Sequence, residues 1–439
     1  MNARTRRAAA LLAASIAAVA ALAAPGAARA ETLAEAWALA LERDHGLAAA
    51  RAEAGAARLE TDAARAARWP TVSVTGAYLQ LDDAPAFDFG FAGLGLAAPE
   101  LFEDDRVVTG AATLTVPLWT SGRITAGIAA ARAHERGGAA QADAVEAGLR
   151  LAVAEAYVAV LRARRAEGVA RSSVASLESL LGDVSSLYER ELVPRNELLA
   201  AEVALADARQ SALRAKHAAE VALAAYNRRL GVPMDRAVEL EDAVGGGGGG
   251  LDRPLAALTA QALARRAELA GLGAQAEAYA ALARGERARV LPQVALSGGY
   301  RYLGNQFLDD QTVGMAGVGV QWSVFDGGQA QRRAAALERR RSAAEQRRAE
   351  AASLIELEVR AAWLGRIEAR ERVQVTAGAV AQAEEALRIA RERYGAGLGT
   401  QTQLLEAETL RVQALRNRDD AALDAGLAEL RLARAVGEP

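Results

Sequence analysis

The chain has 439 residues, no cysteine, three histidines and a formal net charge of −3. Segment 1–30 carries four arginines and no acid, so the remainder holds 48 basic and 55 acidic residues (52 less the four, against 55), a net −7. That balance argues against nucleic acid or an anionic membrane surface as a partner. The missing cysteine removes disulfides, zinc-thiolate sites, thiol catalysis and a lipid-bearing N-terminal cysteine together.

Residues 1–30 read as an export signal. Arg4, Arg6 and Arg7 form its basic start, 8–24 is apolar, Pro25-Gly26 breaks it, and Ala28-Arg29-Ala30 is a small-x-small cleavage site before Glu31. The stretch is alanine-rich and short of the ~20 strongly apolar residues that a membrane anchor needs. No later run is long and apolar enough to span as a helix. The chain is therefore expected to be exported, cleaved and unlipidated, with no spanning helix.

A helix is predicted over about 32–67. Trp69-Pro70 then opens a run of period two, with Thr71, Ser73, Thr75 and Ala77 on one phase and Val72, Val74, Gly76 and Tyr78 on the other. A return strand sets Thr113 and Thr115 against Ala112, Leu114, Val116 and Leu118. Such alternation marks strands with one polar and one apolar face. From Gly122 to Tyr188 there is no proline, and strong helix formers dominate. A helix of this length would run roughly 100 Å and needs neighbours along its apolar stripe. Pro194 interrupts the pattern, and a second helix follows over about 195–230.

The order then repeats. Leu291-Pro292 corresponds to Trp69-Pro70 at an offset of 222, and Val324-Phe325-Asp326-Gly327-Gly328 to Leu118-Trp119-Thr120-Ser121-Gly122 at 206. Tyr394 matches Tyr188, Leu404-Leu405 matches Leu198-Leu199, and Gly437-Glu438-Pro439 matches Gly231-Val232-Pro233, all at 206. The domain plan is a first repeat over 31–233 with a hairpin at 70–119, a long helix at 122–188 and a helix at 195–230. A linker at 234–254 contains the glycine run 245–250. The second repeat covers 255–439, with a helix over about 255–290, a hairpin at 292–325, a long helix at 328–394 and a helix at 400–436. The shift in offset gives the first repeat 16 extra residues (222 less 206). They fall at a hairpin tip rich in Asp82, Asp83, Phe87, Phe89 and Gly90.

Strand runs of about ten residues suit a tilted bilayer crossing of ~9–11 residues. Twelve of the nineteen aromatics lie in segments 69–119 and 291–325, among them Trp69, Tyr78, Phe91, Phe102, Trp119, Tyr300, Tyr302, Phe307, Trp322 and Phe325. Membrane barrels place aromatic girdles near strand ends. A soluble β insertion would use the same alternation. Four strands cannot close a membrane barrel, and open edges are not tolerated in lipid. Strands that span must therefore be pooled between chains, eight in a dimer or twelve in a trimer, and counting does not choose.

The ordered set of landmarks resembles the outer-membrane efflux protein (TolC) family. The residues that carry it are Leu33/Ala36/Leu41 with Leu255/Leu258/Leu263, the two X-Pro strand entrances, the two glycine-ended exits into long helices, and Tyr394…Gly397…Leu404-Leu405-Glu406-Ala407. The resemblance implies an α+β membrane protein. In it a long α-helical coiled-coil barrel continues an oligomeric β-barrel, with four strands per chain and twelve in a homotrimer. It implies an exit duct in the outer membrane of a Gram-negative bacterium, in contact with outer-membrane lipid and extending into the periplasm. Such a duct is a passive conduit for small molecules or, in type I secretion, proteins. A periplasmic adaptor (membrane fusion protein) and an inner-membrane pump of the RND, ABC or MFS type would complete the exporter. The alternative is a periplasmic adaptor or helical scaffold that spans no membrane.

No catalytic set, metal site or cofactor motif is present. His45, His134 and His217 share no ligand spacing, and the 245–250 glycines lack the Lys-Ser/Thr of a phosphate loop. Site expectations fall on the two helix turns. By the resemblance an acidic ring there narrows the entrance and favours cations. The matching positions are Gln403 and Glu406, one helical turn apart, with Glu197 the first-repeat counterpart of Gln403. Leu192, Val193, Gly397, Leu398 and Thr400 are the expected adaptor-docking residues of the tips.

Overall fold

The computed structural model describes residues 30–82, 106–242, 244, 251–304 and 310–438. The signal segment up to residue 29, the hairpin-tip residues Asp83, Phe87, Phe89, Gly90, Phe91 and Phe102, Phe307 and the 245–250 glycines lie outside the described residues.

Helices α1 (Leu33–Arg43) and α2 (His45–Ala66) lead into strands β1 (Thr71–Gln80) and β2 (Arg106–Trp119), followed by α3 (Arg123–Glu189) and α4 (Arg195–Arg229). The same order returns as α5 (Leu255–Arg265), α6 (Ala267–Ala288), β3 (Gln293–Leu303), β4 (Thr312–Gln321), α7 (Gln329–Gly395) and α8 (Gln401–Ala435). Helices α3 and α7 are 67 residues each, and α4 and α8 are 35 each.

One expectation needs correction. The first helix of each half is two helices, not one. Asp44 adopts an extended conformation (φ −67°, ψ 121°), and its carboxylate accepts the amide of Leu47 at 2.8 Å. An Asp that offers its side chain to the next turn is an N-cap, so the helix restarts there. In the second half the break falls at Arg266, again extended (φ −63°, ψ 121°), with its buried guanidinium paired to Glu268 at 3.0 Å. The strands differ in their ends as well. β1 and β3 run two and three residues beyond Tyr78 and Tyr300, and β4 stops at Gln321, before Trp322.

All four strands form one antiparallel sheet in the order β1-β2-β3-β4. The register aligns the two phases across the sheet. Thr71 pairs with Thr115, Thr115 with Ser297 and Ser297 with Gly317; Ser73, Thr113, Gly299 and Met315 form the next row of that face. The other face takes Val72, Leu114, Gly298 and Ala316, and a parallel row of Val116, Leu296 and Val318. A bulge between Pro117 and Trp119 absorbs one residue of β2 before the exit into α3. The apolar face is uncovered: Val74 is 79% exposed, Tyr300 68% and Val320 67%. Both outer strands are exposed at every residue.

Contacts divide the chain into two compact units that cut across the sequence repeats. One takes the described residues up to Ala48, Val145–Arg265 and the stretch from Ile355 on; the other takes Ala49–Ala144 and Arg266–Leu354. The first unit is cored by Leu47, Val153, Tyr157, Tyr226, Leu230 and Leu423. The second holds the sheet. There the Ser121 hydroxyl donates to the carbonyl of Pro292 at 2.5 Å, and the Trp322 indole donates to the carbonyl of Val290 at 3.1 Å. The first bond ties the exit of one hairpin to the entrance of the next, and the second ties the exit of the second hairpin to its own entrance.

The β2–β3 seam is closest at Gly299, where an added Cβ would lie 2.0 Å from the carbonyl oxygen of Ala112. That oxygen is sheet backbone and cannot swing away. Gly299→Ala is expected to destabilise the sheet by about 1–3 kcal/mol. Gly317→Ala, where a Cβ meets nothing within 4 Å, should stay within about 0.5 kcal/mol of the parent. Urea midpoints in detergent measure both; equal midpoints would refute the close approach.

Candidate functional site

The two helix turns share one backbone design. In the first, the amide of Leu192 donates to the carbonyl of Leu187 at 2.9 Å and that of Glu191 to Tyr188 at 2.9 Å. In the second, Leu398 donates to Arg393 at 2.8 Å and Gly397 to Tyr394 at 3.0 Å. This nested pair of bonds is the Schellman cap, which needs a left-handed residue just past the helix. Gly397 supplies it at φ 72°. Its counterpart Glu191 is held at φ 61°, where a side chain costs about 1–2 kcal/mol.

The next helix starts differ, and the difference makes the site. Thr400 caps α8: its hydroxyl accepts the amide of Gln403 at 3.4 Å, and the Gln403 side-chain oxygen accepts the amide of Thr400 at 3.3 Å. This is a capping box, so the Gln403 side chain is tied to its own helix. The counterpart of Thr400 is Pro194, which has neither hydroxyl nor amide hydrogen and makes no side-chain cap. Glu197, at the position of Gln403, has no such bond to make. Its carboxylate instead accepts the Tyr394 hydroxyl at 2.9 Å, while the buried Gln401 side chain donates to its backbone carbonyl at 2.9 Å. The start of α4 is thereby fastened to both the end of α7 and the start of α8.

Beneath this contact, Leu180, Val184, Ala201, Leu205, Leu404 and Ala407 form a common core. Burial, reinforced by the hydrogen bond and charge of Glu197, pushes the Tyr394 phenol above its ordinary value. Tyr394 therefore stays protonated and donates, and Glu197 accepts. Deeper along α8 lies a second polar cluster. The buried Glu408 carboxylate accepts from Arg411 at 2.6 Å and from the Ser176 hydroxyl at 2.9 Å; Arg391 donates in turn to Ser176 at 2.8 Å.

Glu406 is exposed and forms no ion pair among the described residues; Gln403 is exposed but held in the cap. Glu197 is half-buried. Leu192 and Leu398 are 66% and 73% exposed at corresponding points of the two tips. Val193 is half-buried against the tip core, Thr400 caps, and Gly397 makes the turn. Sequence reasoning used Tyr394 only as a landmark and missed Gln401, Ser176, Arg391, Glu408 and Arg411. The exchange of Thr400 for Pro194 between the repeats was the available signal for Glu197.

Among the described residues, an uncovered apolar sheet face whose two outer strands each pair on one side only, in a chain with two helices of 67 residues, has the features of a membrane channel subunit. The model of the outer membrane efflux protein family matches residues 37–232 and 258–438, and the chain belongs to that family. It is an outer-membrane exit duct. Among solved structures, the outer membrane protein VceC of Vibrio cholerae superposes with a TM-score of 0.79 at 20% identity, covering 92% of this chain and 96% of that one. A membrane protein of Pseudomonas aeruginosa gives 0.77 at 18%, covering 92% and 90%. The open-state MtrE outer membrane channel of Neisseria gonorrhoeae gives 0.73 at 18%, covering 92% and 89%. These likenesses are to the fold. No curated protein matches the sequence significantly.

The tip geometry yields a paired expectation. Gly397→Ala should destabilise the α7–α8 turn by about 1 kcal/mol, because its left-handed backbone strains any side chain. Glu191→Gly should leave the α3–α4 turn as stable or more so. Hydrogen exchange of the tip amides distinguishes the two; equal effects would refute the turn assignment.

Proposed function

We propose that three copies pool their sheets into one twelve-stranded barrel in the outer membrane of a Gram-negative bacterium. The observation that carries this reading is the register, which puts the apolar phase of all four strands on one face while leaving both edges unpaired. A bilayer accepts such a sheet only when further strands close it. The Thr/Ser/Gly face then lines a lumen wet enough for solute.

On this proposal the chain is exported by the signal 1–30, cleaved before Glu31 and unlipidated. Each chain contributes two repeats, 31–233 and 255–439, joined through the 234–254 linker, which the family resemblance puts at an equatorial belt around mid-length of the tube. The long helices extend the tube into the periplasm. The duct is passive. An adaptor docks at the tips, with Leu192 and Leu398 as apolar contacts and Val193, Gly397 and Thr400 setting their turns. An RND, ABC or MFS pump supplies the driving force. Small molecules or proteins are the cargo.

The Tyr394–Glu197 bond is the closing latch in this reading, because it holds the two helix pairs of one chain together at the tip. Glu406, repeated around the axis, provides the negative charge that favours cations. Single-channel recordings in planar bilayers test both roles. Tyr394→Phe removes the donor and is expected to shift the population towards the open state by on the order of tenfold. Glu406→Ala should weaken cation selectivity and divalent-cation block; recordings that match the parent would sink the gate role of each residue in turn.

A further inference from the structure

The first residue after the cleavage motif is buried. Glu31 is 9% exposed, whereas chain termini ordinarily fray. Its amide donates to the carbonyl of Glu239 at 2.7 Å, and its own carbonyl accepts the amide of Glu241 at 3.0 Å, a parallel bridge to 239–241. Its carboxylate is held from two sides, by the Tyr226 hydroxyl on one oxygen and the Arg236 guanidinium on the other. The Tyr157 hydroxyl lies 2.8 Å from the Glu31 carbonyl and 2.7 Å from that of Glu241, and shares its proton between them. Tyr157 and Tyr226 are fully buried and meet edge to face, with ring centroids 5.9 Å apart. Burial pushes the Tyr157 phenol up to about 12, so it remains a donor.

The second repeat carries none of this. The positions matching Glu31, Tyr157 and Tyr226 are Arg253, Trp363 and Leu432. Both repeats need a first helix docked on a long one, so the acid and its two tyrosines are not a requirement of the shared fold. They occur only in the half where export processing creates a new chain end.

We infer that 239–241, Tyr157, Tyr226 and Arg236 form a receptor site for the processed N-terminus, with Glu31 as the residue it holds. This rests on the export reading given above. The step is hydrolysis by the export pathway's signal peptidase. Water adds across the Ala30–Glu31 peptide bond, the Ala30 carboxylate leaves with the signal, and Glu31 keeps the nitrogen as an ammonium. That nitrogen retains a donor for the Glu239 carbonyl, while its side chain stays in the Tyr226–Arg236 pocket.

The sequence supplies a clean probe. Lys216 is the only lysine, with a 54% exposed side chain, so a mature chain beginning at Glu31 has two amines. Intact mass of the protein from outer-membrane fractions comes first. A chain beginning at Glu31 is expected, and one beginning elsewhere would overturn the processing reading and the inference with it. Native labelling with an N-hydroxysuccinimide ester follows. A free α-amine titrates near pH 8 and outreacts lysine at neutral pH. The docked Glu31 amine should instead label about tenfold more slowly than Lys216. Labelling as fast as Lys216 would overturn docking even where processing is correct. Glu31→Gln and Tyr226→Phe should restore fast labelling of the terminus. A Gly-Gly insertion between Ala30 and Glu31 keeps the acid but displaces the ammonium. It should lower the thermal midpoint, whereas an unchanged midpoint would reduce Glu31 to an ordinary internal acid.

Discussion

A backbone N–H or C=O without a hydrogen-bond partner in hydrocarbon costs several kcal/mol, and this constraint governs the rest of the molecule. The sheet is wide enough to bury two strands between neighbours but leaves β1 and β4 each paired on one side only. Its register keeps Val72, Leu114, Val116, Leu296 and Val318 on one face and Thr71, Thr115, Ser297 and Gly317 on the other. A face of the first kind suits lipid and a face of the second suits water. The helices inherit their demands from this arrangement. Two of them, 67 residues long, have to be stabilised by lateral packing because propensity alone does not hold such lengths in place.

Duplication gives the chain two copies of each structural device, and the long-range contacts change where the copies diverge. Thr400 and Pro194 stand at equivalent helix starts. The hydroxyl of one ties Gln403 into a capping box, while the proline of the other leaves Glu197 to reach Tyr394. The same logic applies at Glu31, whose tyrosine partners have no counterparts in the second half. A substitution that looks local, one residue at a cap or one ring in a core, changes which elements are fastened together.

Much of the architecture was legible because it rests on short-range periodicity. Alternation over Thr71–Gln80 is a property of the strand itself, and a proline-free run rich in alanine and leucine favours helix whatever surrounds it. The break at Asp44 was less legible, since it depends on one carboxylate turning back to the amide of Leu47 within an otherwise helical pattern. The tip network was legible only in part: the repeat alignment marked Glu197, but nothing local marked its partner. Tyr394 and Glu197 are separated by 197 residues, as are the ends of no local motif.

The sequence by itself determined the repeat, the element types, the polar and apolar phases of each strand and the family, because all of these are encoded in spacing along one chain. Tertiary structure alone decided the register that lines up those phases across four strands and the close seam at Gly299. It also decided that compact units form from pieces of both repeats rather than from either one. Likewise it decided that Glu31 is a buried ligand and Glu406 an exposed charge. The reason is the same in each case: such facts depend on which distant backbone segments meet, and a glutamate has the same local pattern whether it meets a tyrosine or water.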